Sequence, residues 1–278
     1  MGAVGPIDVN AALRAERERF VELLRSLEEA DWKASTECPA YDVQGVAAHV
    51  LGDDLSLLSR QRDGALNGLF PLLATGLDFR RALDRFNDRW VEAAQFFSPA
   101  LLIDLLELTG RWTADWYATV DPTELGEPVA FFGATGPSPY WQIAAREYGE
   151  RWVHHQQILR ALGRTPLADD DLLRTAAAVV VRGVAAHLRD LEAPAGTSLV
   201  IAVEGLATWA VARDGDGWAV VDDPGDGPVA ELTLDRALAP AALSRGLPPD
   251  EVEATLSLGG DEELARRAAH GLAALAGR

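Results

Sequence analysis

Apolar residues recur at helical spacing along the first part of the chain and at shorter, strand-like spacing in the last part. From Asn10 to Glu29, Leu13, Phe20, Leu23, Leu24 and Leu27 return every three or four positions with Arg and Glu between them, which predicts a first helix. STECPAYDV interrupts the pattern at Pro39, and Asp42 is placed to cap a second helix from Val43 to about Asp63. After a loop with Gly64, Gly68, Pro71 and Gly76, two further helices are expected, Asp78 to Phe96 and Ser98 to about Thr119. Ser98 and Pro99 make a good cap and first-turn pair for the latter. Asp121 to Pro139, rich in Pro and Gly, reads as a long loop of the kind that often covers a site. A helix then runs from Tyr140 to Leu162 and stops at Gly163.

Beyond Pro166 the pattern changes. A helix from about Asp169 to Leu191 leads into TSLVIAV, TWAVAR, WAVV and VAELTL, short β-prone runs separated by glycine-bearing turns such as DGDG at 214 to 217. These predict antiparallel strands. Two helical segments follow, near Asp235 to Arg245 and from Glu262 to Ala276. The expected architecture is α+β in two domains, a helical bundle over 1–165 and a small α+β domain with an antiparallel sheet over 166–278.

Composition narrows the class. Of 278 residues, 48% are hydrophobic and 24% charged, enough to bury a core and far from a disordered chain. The net charge of −18, from 43 acidic against 25 basic residues, disfavours attraction to nucleic acid or to an anionic membrane. The chain has no apolar run of about eighteen residues, and MGAVGPIDVN lacks the basic and apolar regions of a signal peptide, so a cytoplasmic location is expected. Its one cysteine, Cys38, cannot form an internal disulfide, in keeping with a reducing compartment, and excludes a cysteine-based zinc site. Any metal must be held by histidine and carboxylate.

There are five histidines. Glu150 and His154 lie four apart on the helix from Tyr140 and share a face with Ile143, Glu147, Ile158 and Ala161, as inward-facing ligands of a bundle site would. The same spacing suits a weak surface contact or a buried histidine bonded to glutamate. His49 lies on a polar stripe with Asp42, Gly45, Asp53, Ser56 and Arg60; periodicity alone favours a solvated helix face, and a site at the mouth of a bundle facing a second domain would produce the same stripe. His155 reads as a packing or supporting residue. His187 and His270 are single histidines on helices of the second half and read as structural.

Two stretches, WKASTECPAYDVQGVAAHVLGDDLSLLSRQRD from Trp32 and REYGERWVHHQQILRALGR at 146 to 164, carry a resemblance to the mycothiol-dependent maleylpyruvate isomerase family. That resemblance implies a DinB-like four-helix bundle followed by a sterol-carrier-like α+β domain. It also implies a divalent metal, usually zinc, on one histidine of the AAH segment and on the Glu and His of an E-x-x-x-H pair, which by position are His49, Glu150 and His154. The chain departs from the family's usual CPGW-like turn with CPAY, at Ala40 and Tyr41, and this touches no ligand.

Two imidazoles and one carboxylate leave a coordination position open, the arrangement of a reactive rather than a structural zinc. If a thiol fills it, mycothiol by resemblance, its ionised form attacks a small electrophile, giving isomerisation by reversible addition or S-transfer when a leaving group departs. If water fills it, the chemistry is hydrolytic. A third reading is non-catalytic binding of a metal or small ligand. The donor set also suits nickel, iron or manganese. Glu147, Asp53, Arg60 and Arg151 are candidates for supporting or orienting roles, or ordinary charges. The expected partners are a small-molecule substrate and a low-molecular-weight thiol, with a homodimer as one expected assembly.

Overall fold

The computed structural model describes residues 4–66, 69–134, 136–215, 217–225 and 227–276. Gly68 of the expected loop and Asp216 of the DGDG turn lie outside them. The chain has a helical N-terminal region followed by a sheet-bearing region. Its contacts group into two units, one of residues 13–120 with 157–164, the other of the residues up to 12 with 121–156 and 165–278.

The first unit is built from α1 (Asn10–Arg25, from Leu13 on), α2 (Val43–Leu57), the short α3 (Leu69–Leu73), α4 (Phe79–Ala94) and α5 (Pro99–Tyr117). The expected caps form. The Asp42 carboxylate accepts from the Gly45 N–H at 2.8 Å, Asp78 from Arg81 at 2.9 Å and Ser98 Oγ from Leu101 at 3.3 Å, each satisfying a backbone donor that a helix start leaves open. α2 packs against both α4 and α5. Gly52 makes the α4 contact close: a Cβ there would stand 2.1 Å from Trp90 Cδ1, and Trp90 Nε1 donates to the Ala48 carbonyl at 2.6 Å. After Leu57 the helix widens into one π turn, Leu58–Arg62, so the expected reach to about Asp63 is met with altered geometry. Phe20, Leu24, Leu51, Leu57, Leu102 and Leu106 are fully buried. Among them sits a charged pair: Arg17 Nη1 donates to Asp54 Oδ2 at 2.6 Å and to the Leu106 carbonyl at 2.6 Å, and Thr109 Oγ1 donates to Asp54 Oδ2 at 2.8 Å.

The second unit takes α6 (Tyr140–Ala161) as far as Gln156, then α7 (Asp170–His187) and a five-stranded sheet of order β3-β2-β1-β4-β5. The strands are β1 (Ser198–Val203), β2 (Ala207–Asp214), β3 (Gly217–Val221), β4 (Ala230–Leu234) and β5 (Leu256–Gly260). The short α8 (Ala239–Ala242), α9 (Pro249–Ala254) and α10 (Glu262–Ala276) complete it. Leu199, Ile201 and Val203 of β1 are buried while Val200 and Ala202 between them are less so, the alternation of a half-covered strand. β1–β2, β2–β3 and β4–β5 are antiparallel, as expected, but β1 and β4 run parallel, with Leu199 opposite Ala230. The segment from Val221 to Ala230 returns along the sheet to the start of β1, where Ser198 Oγ donates to the Pro224 carbonyl at 2.7 Å and the Val229 N–H to the Ser198 carbonyl at 2.8 Å. Such a segment can reach about 3.3 Å per residue, enough to span a five-residue strand. The helix expected over Asp235 to Arg245 contracts to α8, and β5 and α9 were not anticipated. α7 and α10 pack together, α7 on β2 and β3 and α10 on β4 and β5. The chain before α1 joins this unit through Val4 N, which donates to the Val220 carbonyl at 2.9 Å, and through Arg182, which donates to the carbonyls of Val4 and Gly5 at 3.0 and 2.7 Å.

Candidate functional site

α6 carries a run of polar side chains that packing alone would not select. Glu147, Arg151, His154, His155, Gln156 and Gln157 are all buried. Arg151 Nη1 donates to Glu147 Oε2 at 2.7 Å and to the Glu147 carbonyl at 2.8 Å, and Arg146 Nη1 donates to Glu147 Oε1 at 2.7 Å. Gln156 brackets Leu167, accepting its N–H at 3.1 Å and donating to its carbonyl at 2.6 Å, and the Tyr148 hydroxyl donates to the Leu172 carbonyl. These bonds fix the rotation of α6 within its unit.

On the same helix Glu150 Oε2 faces His154 Nε2 at 3.8 Å. Two ligands about 2.1 Å from one zinc ion at the tetrahedral angle stand about 3.4 Å apart, so the pair fits two positions of such an ion after a shift of a few tenths of an ångström. The other oxygen of Glu150 lies 3.5 Å from Arg245 Nη2 and 4.0 Å from Arg146 Nη2. Arg245 follows α8 and has φ of 62°, the left-handed region, alone among the described non-glycine residues. A side chain there costs about 1–2 kcal/mol relative to glycine, and such strain gathers at functional positions. Phe131, Trp152, Leu243 and Arg245 enclose, with Glu150, a small mostly apolar cavity of about 30 Å³.

His49, on α2 in the other unit, is half-buried. Its ring stacks with Tyr41, centroids 6.0 Å apart and planes at 27°. The Tyr41 hydroxyl donates to Asp88 Oδ1 at 3.1 Å, and burial first, with that carboxylate second, pushes the phenol well above its ordinary value, so Tyr41 is a neutral donor. No residue of the polar stripe around His49 is fully exposed: Gly45 and Ser56 are buried, and Asp42, Asp53 and Arg60 are half-buried, with Arg60 Nε donating to Ser56 Oγ at 3.2 Å. The stripe is thus neither solvated throughout nor buried throughout.

Among the described residues, no group of three or more His, Cys, Asp or Glu side chains is gathered as a metal-holding cluster. Glu150 and His154 stand together on α6, and His49 is placed in its own unit by the stack with Tyr41. Glu147 and Arg151 form a buried ion pair, and His155 is buried. His187 and His270 lie side by side, ring centroids 6.0 Å apart, with His270 Nδ1 3.4 Å from Glu253. Arg245 was not foreseen, since nothing in LSRGLPP marks a residue with positive φ or ties it to a helix a hundred positions earlier.

No curated protein sequence matches the chain. Two crystal structures share its fold, one of the mycothiol-dependent maleylpyruvate isomerase and one of a histidine-to-alanine mutant of that enzyme. Each superposes with a TM-score of 0.50, at 13% and 12% identity, covering 85% and 90% of this chain and 87% and 91% of theirs. Residues 13–159 of the 278 match the family model described as the mycothiol maleylpyruvate isomerase N-terminal domain. That match spans more than half of the chain, which therefore belongs to the mycothiol maleylpyruvate isomerase N-terminal domain family.

Proposed function

We propose that the protein is a cytoplasmic, mycothiol-dependent enzyme that isomerises, or transfers a thiol to, a small electrophilic substrate, with a divalent metal, most simply zinc, on His49, Glu150 and His154. The bundle domain extends to residue 165 and the α+β domain from 166. The observation that carries the reading is the facing pair on α6, Glu150 and His154, with a strained arginine directed at the same carboxylate in a chain of this family. When bound, the metal supplies a Lewis acid that favours an ionised thiol, and mycothiol supplies a nucleophile able to add reversibly to an electron-poor double bond.

The chain's own residues set the conditions for that chemistry. Glu147 is held between Arg146 and Arg151 and fixes the turn that presents Glu150. Arg245 and Arg146 place guanidinium groups beside Glu150, where they attract an anionic substrate in a protein whose overall charge of −18 repels one. Phe131, Trp152 and Leu243 make the wall beside Glu150 apolar, which keeps water away and strengthens charge interactions there. Asp53, half-buried one turn along α2 from His49, and Arg60, half-buried in the π turn that follows, take supporting roles.

Metal analysis of the purified protein tests this. One divalent ion per chain is expected, lost in His49→Ala and His154→Ala, with maleylpyruvate isomerisation that needs mycothiol. Retention of the ion in both variants, or turnover unaffected by omitting the thiol, would refute it.

A further inference from the structure

The unit of residues 13–120 holds a second feature that the reading above does not use, a cavity of about 440 Å³ between the segment before α2 and the end of α4. Its volume is in the range of small-molecule sites, about 300–1,000 Å³. Its polar lining is Lys33, Ser35, Thr36, Asp42, Gln44 and Gln95, and Val91 and Ala94 give it an apolar floor. Charge is balanced there: Lys33 Nζ donates to Gln44 Oε1 at 2.8 Å and lies 3.4 Å from Asp42 Oδ2. A phosphate or carboxylate site needs cations in excess, and a cation site needs carboxylates in excess. What remains is a mixture of hydroxyls, amides and one neutral phenol, which suits a ligand that offers donors and acceptors in equal measure.

We infer that this cavity binds a neutral polyhydroxylated body of the sugar or cyclitol class, and that it seats the carbohydrate portion of the thiol cofactor. The second half rests on the mycothiol reading, since mycothiol carries its cysteine on a glucosamine–inositol body. Tyr41 connects the two sites: it lines the cavity, and the same ring stacks on His49. A polyol in the cavity is thus one aromatic ring away from a proposed metal ligand. The segment that forms the rim is held in place by Thr36 Oγ1, which donates to the Tyr41 carbonyl at 2.7 Å, and by Arg160, which donates to both oxygens of Glu37 at 2.6 and 2.7 Å.

Cys38, the single cysteine of the chain, is partly exposed and lines the same cavity, so its alkylation rate reports occupancy without any substitution. The thiol-free N-acetylglucosamine–inositol fragment, whose amide keeps it neutral, should when titrated into the wild-type protein slow alkylation of Cys38 saturably, by about tenfold or more at ten times its Kd. Sucrose at the same concentration should not. Gln95→Trp, an exposed substitution at the cavity rim, should abolish protection and raise the KM for mycothiol while metal content stays at the wild-type value. Unchanged alkylation at millimolar fragment, or full protection in Gln95→Trp, would overturn the inference, and equal protection by sucrose would overturn its second half. The two readings fail separately. Protection by the fragment in a protein with no metal or no thiol-dependent turnover would sink the proposed activity and keep the polyol site, whereas thiol-dependent turnover with no protection would do the reverse.

Discussion

Replacing Arg245 by glycine separates stability from function, because the two effects of that side chain oppose each other. At φ of 62° an arginine carries about 1–2 kcal/mol of conformational cost that glycine does not. Glycine returns about 0.4–1 kcal/mol of that gain through the freer unfolded chain. The lost interaction is an ion pair of 3.5 Å whose partners keep about a quarter of their side-chain surface in water, 26% for Arg245 and 22% for Glu150, worth about 0–1 kcal/mol. The sum lies between a loss of about 1 and a gain of about 1.6 kcal/mol, a shift of no more than about 4 °C in Tm for a chain of this size. Turnover should behave differently. A guanidinium aimed at the charged centre of the site is worth about a hundredfold in kcat when removed, on the scale of a lost oxyanion donor. Thermal denaturation and steady-state isomerisation of Arg245→Gly and Arg245→Lys check this. Both variants should fold with near wild-type stability, both should lose most of their turnover, and Lys should recover only part, since an ammonium cannot reproduce the fork of Arg. A loss of more than about 2 kcal/mol of stability in Arg245→Gly, or wild-type turnover, would show that the left-handed arginine serves packing and not the site.

Asp54→Asn leaves Arg17 as a buried cation with reduced partners and should cost about 3–5 kcal/mol by urea unfolding, whereas Arg17→Met with Asp54→Leu should recover most of it; an Asp54→Asn cost below about 1 kcal/mol would contradict the network. Gly110→Ala should destabilise by about 1–3 kcal/mol despite the better helix propensity of alanine, because its Cβ would lie 2.5 Å from Arg17 Cγ; a stabilised variant would mean that Arg17 is free to move. The pKa of His187 is lowered, first by partial desolvation of its ring against neighbouring atoms and then by His270, Arg267 and Arg189, so the folded state binds its proton less readily than the unfolded chain. Stability from this group is complete above the ordinary histidine value of 6.5 and declines as pH falls below it, and His187→Gln should flatten that limb of a stability–pH curve.

What the sequence showed clearly was local. The caps at Asp42, Asp78 and Ser98 and the stop at Gly163, with φ of 61°, are read from a few adjacent residues and form by bonds between adjacent residues. Pairing was less visible. The strand runs mark β1 to β4, but whether β4 lies beside β1 or β3 depends on where a loop turns back, and LSLGG, with two leucines, no β-branched or aromatic residue and two glycines, does not announce β5. A helical wheel records polarity and not cover, which is why the His49 stripe reads as solvated although Gly45 and Ser56 on it are buried. The same limit hides Asp54. It differs from Asp53 by one step along α2, about 100° of rotation, yet that step carries it from a half-buried face to the centre of the core beside Arg17.

α6 shows how a departure from ordinary patterning points to function. Six buried polar side chains between Glu147 and Gln157 are a poor choice for a helix selected only to pack, since each needs a matched partner to avoid a cost of about 1–3 kcal/mol. Much of that cost is met within the second unit. Glu147 takes Arg146 and Arg151, and Gln156 takes both backbone groups of Leu167. These bonds stabilise the helix in one rotation, and the face so fixed presents Glu150 and His154 together. A hydrophobic replacement for the Glu147–Arg151 pair keeps the fold, as such replacements often do, but leaves the rotation of Glu150 and His154 to apolar contacts that tolerate small slips. On the reading proposed above, the buried ion pair positions the site, and replacing both of its partners should appear in metal affinity before it appears in stability.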